Sequence, residues 1–220
     1  MKITGAIFDM DGTLVDSLML WDILWGVFSE RYLQGKPFRP DPELDRDIRT
    51  VPLLEAMGFV HDRTGIGGSG RVLYELATEV FIGFYRTDVL PKPGVIELLD
   101  HLQAQGVKMC IATASDPILV DIALKHCDME KYFCRRFSCS ELGKGKESPD
   151  VFLLALDGLG TPQAETWVFE DSYVALTTAV AAGFPTVGVY DRYSPRQDVM
   201  REKSTIYVAQ GESMTKLIHA

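Results

Sequence analysis

Short apolar runs at residues 3–8, 107–112, 167–169 and 186–190 alternate with segments long enough for helices, and this restricts the chain more than any other feature. Such runs, bounded by polar or turn residues, mark strands buried on both faces, as strands are in parallel sheets. Between them, Pro93 and Gly94 open a helix predicted over 95–105, and Asp116 and Pro117 open another over 118–127. The alternation predicts an α/β fold built on a doubly wound, Rossmann-like parallel sheet. In sheets of that kind ligands bind beyond the carboxyl ends of the strands.

Residues 18–88 break the pattern. They hold two long helical stretches, 18–33 and 71–86, and no run that reads as a strand. Pro37, Pro40, Pro42, Gly58, Gly65, Gly67, Gly68 and Gly70 punctuate the space between. The expected organisation is a catalytic core of residues 1–17 and 89–220 with an all-helical cap, 18–88, inserted after the first strand. Its hinges fall near 16–18 and 87–93. Trp21, Trp25, Phe28 and Tyr32 recur at helical spacing and are expected to pack the cap, with Trp21 also able to face a substrate chamber. The glycine-rich GIGGSG at 65–70 lacks the Gly-Lys-Ser/Thr ending of a nucleotide loop and follows no apolar strand.

Charge narrows the partners. A formal net charge of −9 disfavours nucleic acid and anionic membrane, because binders of phosphate backbones carry a basic face. A small anionic substrate needs local positive charge to overcome that field. No stretch approaches the roughly 18 uninterrupted apolar residues of a membrane span, and the apolar run before the first acids is too short for a signal peptide. A cytoplasmic address is the expectation. Cys110, Cys127, Cys134 and Cys139 form no CxxC pair and read as reduced structural thiols; with His126 as the only nearby imidazole, they do not make a zinc site.

The strand ends carry the chemistry. The first run leads into Asp9 and Asp11, the second into Thr113 and Ser115, the third into Glu170 and Asp171. Two carboxylates sharing a site raise each other's pKa unless a cation or a proton lies between them, so something positive is expected there. Gly12 allows a tight turn directly after the acids.

DMDGTLVDS (9–17), the threonine of IATAS (111–115), GKESPD (145–150) and FEDS (169–172) followed by AAG (181–183) together resemble the four ordered motifs of the haloacid dehalogenase-like hydrolase superfamily. The helical insertion resembles that family's cap of the first type. The resemblance spans nearly the whole chain. It implies Asp9 as a nucleophile that forms an aspartyl phosphate and Asp11 as general acid and then base. It also implies a Mg²⁺ ion held by Asp9, the main-chain carbonyl of Asp11 and Asp171, with Glu170 a direct ligand or one step behind. Thr113 and the backbone of Ala114 are implied to bind the phosphoryl group, and Lys146 to offset its charge, with Lys144 a competing identity. Two positions depart from the family pattern: Glu147 stands where proline is frequent, and Ala175 where glycine is.

These residues imply a Mg²⁺-dependent phosphatase acting on a small phosphomonoester, a sugar phosphate or similar metabolite, beneath a closing cap. Arg46 and Arg49 in the cap are candidates to reach an anionic substrate group, and Trp21 to line the chamber. The first alternative is a β-phosphoglucomutase-like phosphomutase, but Trp21 stands where that branch carries a histidine, and the motif reads DGT instead of DGV. A dehalogenase lacks the second aspartate, and a phosphonatase needs a cap lysine, for which Lys36 is the candidate. An alternative of another class is a non-catalytic sugar-phosphate sensor on the same scaffold.

Overall fold

A computed structural model describes residues 2–49 and 51–219. Residues 1 and 220, the outer limits of the expected core, and residue 50 of the expected cap lie outside them. Strands β1 (Gly5–Phe8), β4 (Lys108–Thr113), β5 (Arg135–Ser138), β6 (Thr166–Glu170), β7 (Thr186–Val189) and β8 (Ile206–Val208) form one sheet in the order β5-β4-β1-β6-β7-β8. Every pairing is parallel. The first strand sits in the middle, and the chain winds outward from it in both directions, which puts the topological switch point between β1 and β6. The short strands β2 (Val15–Asp16) and β3 (Leu90–Pro91) pair antiparallel with each other.

Side chains alternate across this sheet, as the pleat requires. On one face Ile7, Cys110, Ala112 and Val168 pack against α8 (Asp150–Leu159) and α9 (Tyr173–Ala181) through Val151, Phe152, Ala155 and Ala179. On the other face Ala6, Phe8, Ile111 and Phe169 pack against α5 (Val95–Ala104) and α6 (Pro117–His126) through Leu98, Leu99, Leu119 and Ala123. Phe8 and Phe169 stack on neighbouring strands with centroids 4.1 Å apart.

Between β2 and β3 the described residues form four helices and no strand: α1 (Leu20–Leu33), α2 (Pro42–Ile48), α3 (Leu53–Thr64) and α4 (Gly70–Thr87). Trp25 and Phe28 are buried at the centre of this group and meet edge to face at 5.6 Å. Pro42 occupies the first turn of α2, where a missing N–H costs nothing, and Asp41 caps it by accepting from the Glu43 and Leu44 amides at 3.0 and 2.9 Å. Gly65 ends α3 in the left-handed conformation. The prolines and glycines that read as punctuation therefore delimit α2 and α3, two helices that the sequence pattern did not reveal. The remaining α-helices among the described residues are α7 (Cys139–Leu142) and α10 (Gln197–Lys203), and three short 3-10 helices lie at Glu130–Tyr132, Gln163–Glu165 and Met214–His219.

Besides the two-residue strands β2 and β3, two strands of the six-stranded sheet escaped the sequence pattern. β5 reads RRFS, with both arginines exposed at the sheet edge, and β8 is only three residues long. Edge strands keep a solvated face or rim and so lose the apolar run that marks the central ones. All four cysteines are free, and burial pushes the Cys127 and Cys139 thiols up to about 11. No helix among the described residues is long and apolar enough to cross a membrane.

Candidate active site

The sheet register builds the site. Phe8 is level with Ile111 on β4 and with Phe169 on β6, so the chain leaves β1 at Asp9 beside the ends of both neighbours. The Asp9 amide donates to the Phe169 carbonyl at 2.9 Å, which fixes the backbone as the strand ends. The turn that follows brings Gly12 to φ +80° and closes with the Gly12 amide on the Val15 carbonyl at 2.9 Å. A side chain at Gly12 would place its Cβ 2.5 Å from Asp171 Oδ2, so the turn demands glycine both for its conformation and for its closeness to β6.

Asp9, Glu170 and Asp171 are all buried, and each offers a carboxylate oxygen within 4.8 Å of the others. Lys146 bonds Asp9 Oδ1 and Glu170 Oε1 and is itself 5% exposed. Glu170 Oε2 accepts from the Ser172 amide at 3.2 Å. Asp171 bonds no lysine among the described residues, though Lys92 acts on its charge from further off; Thr13 donates to its Oδ1 at 3.1 Å and Ser194 to its Oδ2. Burial pushes Asp9 up to about 7 even against the pull of Lys146, with Glu170 and Asp11 adding to the rise. Asp171 is pushed to about 7 by burial and by Asp9. Burial works against the Lys146 charge, but Asp9 and Glu170 prevail and hold its pKa above that of an ordinary lysine.

Three buried acids with Lys146 as the single lysine bonded to them among the described residues make a site short of positive charge. Its donors are hard oxygens, the set that suits a magnesium-like cation and not a soft metal. The residues present fit such an ion.

Asp11 stands apart from that cluster. Its carboxylate takes three hydroxyl donors: Ser17 at 2.6 Å and Tyr85 on Oδ1, and Ser115 at 2.6 Å on Oδ2. Burial and the Asp11 charge raise the Tyr85 pKa well above that of an ordinary tyrosine, so its hydroxyl keeps its proton and donates. Thr113, buried at the end of β4, accepts from the Ser115 amide at 3.1 Å and lines the same cavity as Ala114, Asp9 and Lys146. Lys144 lies elsewhere, exposed and paired with Asp150 at 2.8 Å, so geometry separates the two lysines that the sequence left open.

The roof of the cavity comes from α1 to α4. Trp21 packs against Trp25 and Phe81 and lies 5.7 Å beneath the Arg49 guanidinium. Arg49 grips Asp45 with two bonds of 2.9 Å, and its remaining nitrogen, Nη1, is buried without a partner. Arg46 sits at the rim and pairs with Asp47 at 3.0 Å. The sequence pattern brought forward none of Tyr85, Ser194 or Thr13 as a site residue. Tyr85 and Ser194 come from α4 and from the loop after β7, and Thr13, though inside DMDGTLVDS, shows its role only against Asp171.

The family model described as haloacid dehalogenase-like hydrolase matches residues 3–183. The chain is 30% identical over 187 residues to a phosphorylated carbohydrates phosphatase of Thermotoga maritima, covering 83% of each protein. It is 32% identical over 208 residues to protein CbbY of Rhodobacter capsulatus, covering 90% of each. The crystal structure of CbbY from Rhodobacter sphaeroides in complex with phosphate has the same fold, with a TM-score of 0.79 over 93% of both chains at 20% identity. With the ordered motifs gathered at one sheet edge and a family match over most of its length, the chain belongs to the haloacid dehalogenase-like hydrolases.

Proposed function

We propose that the chain is a Mg²⁺-dependent phosphatase that hydrolyses a small phosphomonoester through a phosphorylated Asp9. The observation that carries this reading is the division of labour between the two aspartates of the first motif. Asp9 belongs to the buried acidic cluster with Lys146, whereas Asp11 is turned away from that cluster and held by three hydroxyls. A nucleophile and a proton carrier need those two different surroundings.

Asp9 attacks phosphorus, and its carboxylate oxygen forms the new P–O bond while the bond to the substrate oxygen breaks. Asp11 gives its proton to that departing oxygen. The same carboxylate, now charged, takes a proton from water, and the resulting hydroxide displaces Asp9 from phosphorus to release inorganic phosphate. Thr113, the Ala114 backbone and Lys146 hold the phosphoryl oxygens. Asp9, Asp171 and the Asp11 carbonyl would hold the Mg²⁺, with Glu170, which also serves Lys146 and the Ser172 amide, a direct ligand or one step behind. Bound there, Mg²⁺ supplies the positive charge that the crowded carboxylates and the phosphoryl oxygens share.

The division into core and cap belongs to the same proposal. Residues 18–88 move over the site about the segments at 16–18 and 87–93, exclude water when closed, and bring Trp21, Arg46 and Arg49 to the leaving group. The names of the relatives make sugar phosphates the first class to assay. The mutase reading finds no histidine at Trp21, whose ring is enclosed by Trp25, Phe81 and Arg49.

The test is hydrolysis of an aryl phosphate by the full chain with and without Mg²⁺, followed by a panel of phosphorylated metabolites ranked by kcat/KM. Turnover that needs Mg²⁺ supports the phosphatase. Tight binding of sugar phosphates without release of phosphate favours the sensor instead.

A further inference from the structure

Asp171 differs from the other two acids in one respect. Asp9 and Glu170 share the Lys146 ammonium, whereas both oxygens of Asp171 are met by hydroxyls, Thr13 on Oδ1 and Ser194 on Oδ2. Thr13 belongs to the first motif. Ser194 arrives from a different part of the chain, the loop between β7 and α10, and its side chain is buried.

That loop is tightly built. Asp191 Oδ1 accepts from the Tyr193 amide at 2.9 Å, and the Ser194 amide donates to the Asp191 carbonyl at 3.2 Å, closing a turn within four residues. The Gln197 side chain donates to the carbonyls of both Asp191 and Ser194, at 3.1 and 2.9 Å, and accepts from the Tyr207 hydroxyl of β8 at 2.6 Å. The other oxygen of Asp191 is paired with Lys92 at 2.8 Å, and both side chains are almost fully buried. Lys92 also donates to the Tyr190 carbonyl at 2.7 Å, and its own amide donates to the Leu14 carbonyl at 2.9 Å. An ion pair drawn this far from solvent is a weak source of stability, and its use here is to tie the loop to the segment after β3.

We propose that Ser194 is a positioning residue for the metal ligand Asp171, and that the Lys92–Asp191 ion pair holds Ser194 in place. The inference rests on the reading of Asp171 as a Mg²⁺ ligand given above. A carboxylate on a short side chain rotates freely about its last bond unless both oxygens are engaged. Thr13 alone fixes one oxygen. Ser194 fixes the other, and each oxygen keeps a lone pair for the ion. Partners that orient a ligand from behind typically change metal affinity 10- to 100-fold when removed. Lys92 follows directly on β3, where the chain returns from the four helices, so the anchor of the Ser194 loop lies on the segment proposed as a hinge.

Calorimetric titration of Mg²⁺ into the metal-free full chain tests this. In Ser194→Ala the Mg²⁺ dissociation constant is expected to rise about 10- to 100-fold. The Mg²⁺ concentration for half-maximal hydrolysis of an aryl phosphate should rise by the same factor, while the kcat reached at saturating Mg²⁺ falls much less. Ser194→Thr keeps the hydroxyl and should bind Mg²⁺ within a few-fold of the unaltered chain. Lys92→Met combined with Asp191→Asn removes both charges of the pair and leaves Ser194 in the sequence but frees its loop, and should weaken Mg²⁺ in the same direction with thermal melting still cooperative. Unchanged Mg²⁺ affinity in Ser194→Ala, or equal losses in the alanine and threonine variants, overturns the proposal while leaving the phosphatase reading intact. An unaltered chain that takes up no Mg²⁺ overturns the metal assignment, and this inference with it.

Discussion

The Tyr85 hydroxyl on α4 donates to Asp11 Oδ1, so a residue of the four helices between β2 and β3 holds the carboxylate proposed to carry protons. Ser17 occupies the same oxygen and Ser115 the other. An ionised carboxylate has about four acceptor positions, which leaves the second position of Oδ2 for the working proton. Tyr85→Phe removes one of the three anchors without changing shape. Its expected effect is a loss in kcat of about 10-fold for alkyl phosphates and a smaller one for aryl phosphates, whose leaving oxygen needs little protonation. Steady-state rates on a matched pair of esters check this; equal losses on both would show that Tyr85 only supports the fold.

Asp11→Asn separates the two jobs assigned to Asp11. An aryl phosphate can still phosphorylate Asp9, but the second step loses its base, a loss on the order of 10²- to 10⁴-fold. Rapid mixing should show a burst of one phenolate per site followed by slow turnover, with alkyl esters scarcely reacting. The absence of a burst, with both esters slowed alike, would reduce Asp11 to a role in shaping the site.

Removing divalent metal with a chelator should abolish turnover, and Mg²⁺ should restore it. Excess Ca²⁺ should inhibit, because Ca²⁺ takes more oxygen ligands at longer distances and would draw both oxygens of Asp9 away from the line of attack. Full activity in chelator would refute the metal assignment.

The buried acids also set a pH dependence of stability. In the metal-free fold Asp9 and Asp171 titrate near 7, against an ordinary value of 3.8, with burial the main cause. Between about pH 4 and pH 7 the folded chain therefore binds more protons than the unfolded one, and stability falls as pH rises through that window. Surface acids such as Asp150, held low by its bonds from Lys144 and Ser148, act oppositely and lose their contribution only at pH below that window. The metal-free Tm should be higher at pH 5 than at pH 8, Mg²⁺ should raise Tm more at pH 8, and Asp171→Asn should flatten the slope. Thermal scans at the two pH values measure all three.

The parts of this site that the sequence made legible share a local origin. An apolar run that ends on acids is visible wherever a central strand meets its ligand edge, and β1, with Asp9, and β6, with Glu170 and Asp171, both end that way. Gly12 was legible for a similar reason, because a turn so close to the acids has few other occupants. Lys146 was ambiguous because Lys144 lies two residues away in a loop without periodicity, and only the partners Asp9 and Asp150 tell them apart. Tyr85 and Ser194 were invisible. Each looks like an ordinary residue of its own helix or loop, and acquires its role only when elements 74 and 23 residues distant in sequence meet it. Helices α2 and α3 stayed hidden because their prolines and glycines mark ends as readily as they mark loops.

The central position of β1 has a kinetic consequence. Its acid cannot meet those of β6 until a strand from residue 5 has docked beside one from residue 166, a closure that spans most of the chain and is slow to form. The repulsion of Asp9 by Glu170 and Asp171 is therefore expected to be felt late, after most of the sheet has assembled. A cation that relieves the repulsion acts mainly on the finished structure and little on the barrier to reaching it. Mg²⁺ should accordingly slow unfolding while leaving the refolding rate nearly unchanged, so that a folding chevron measured with and without the ion shifts on one arm only.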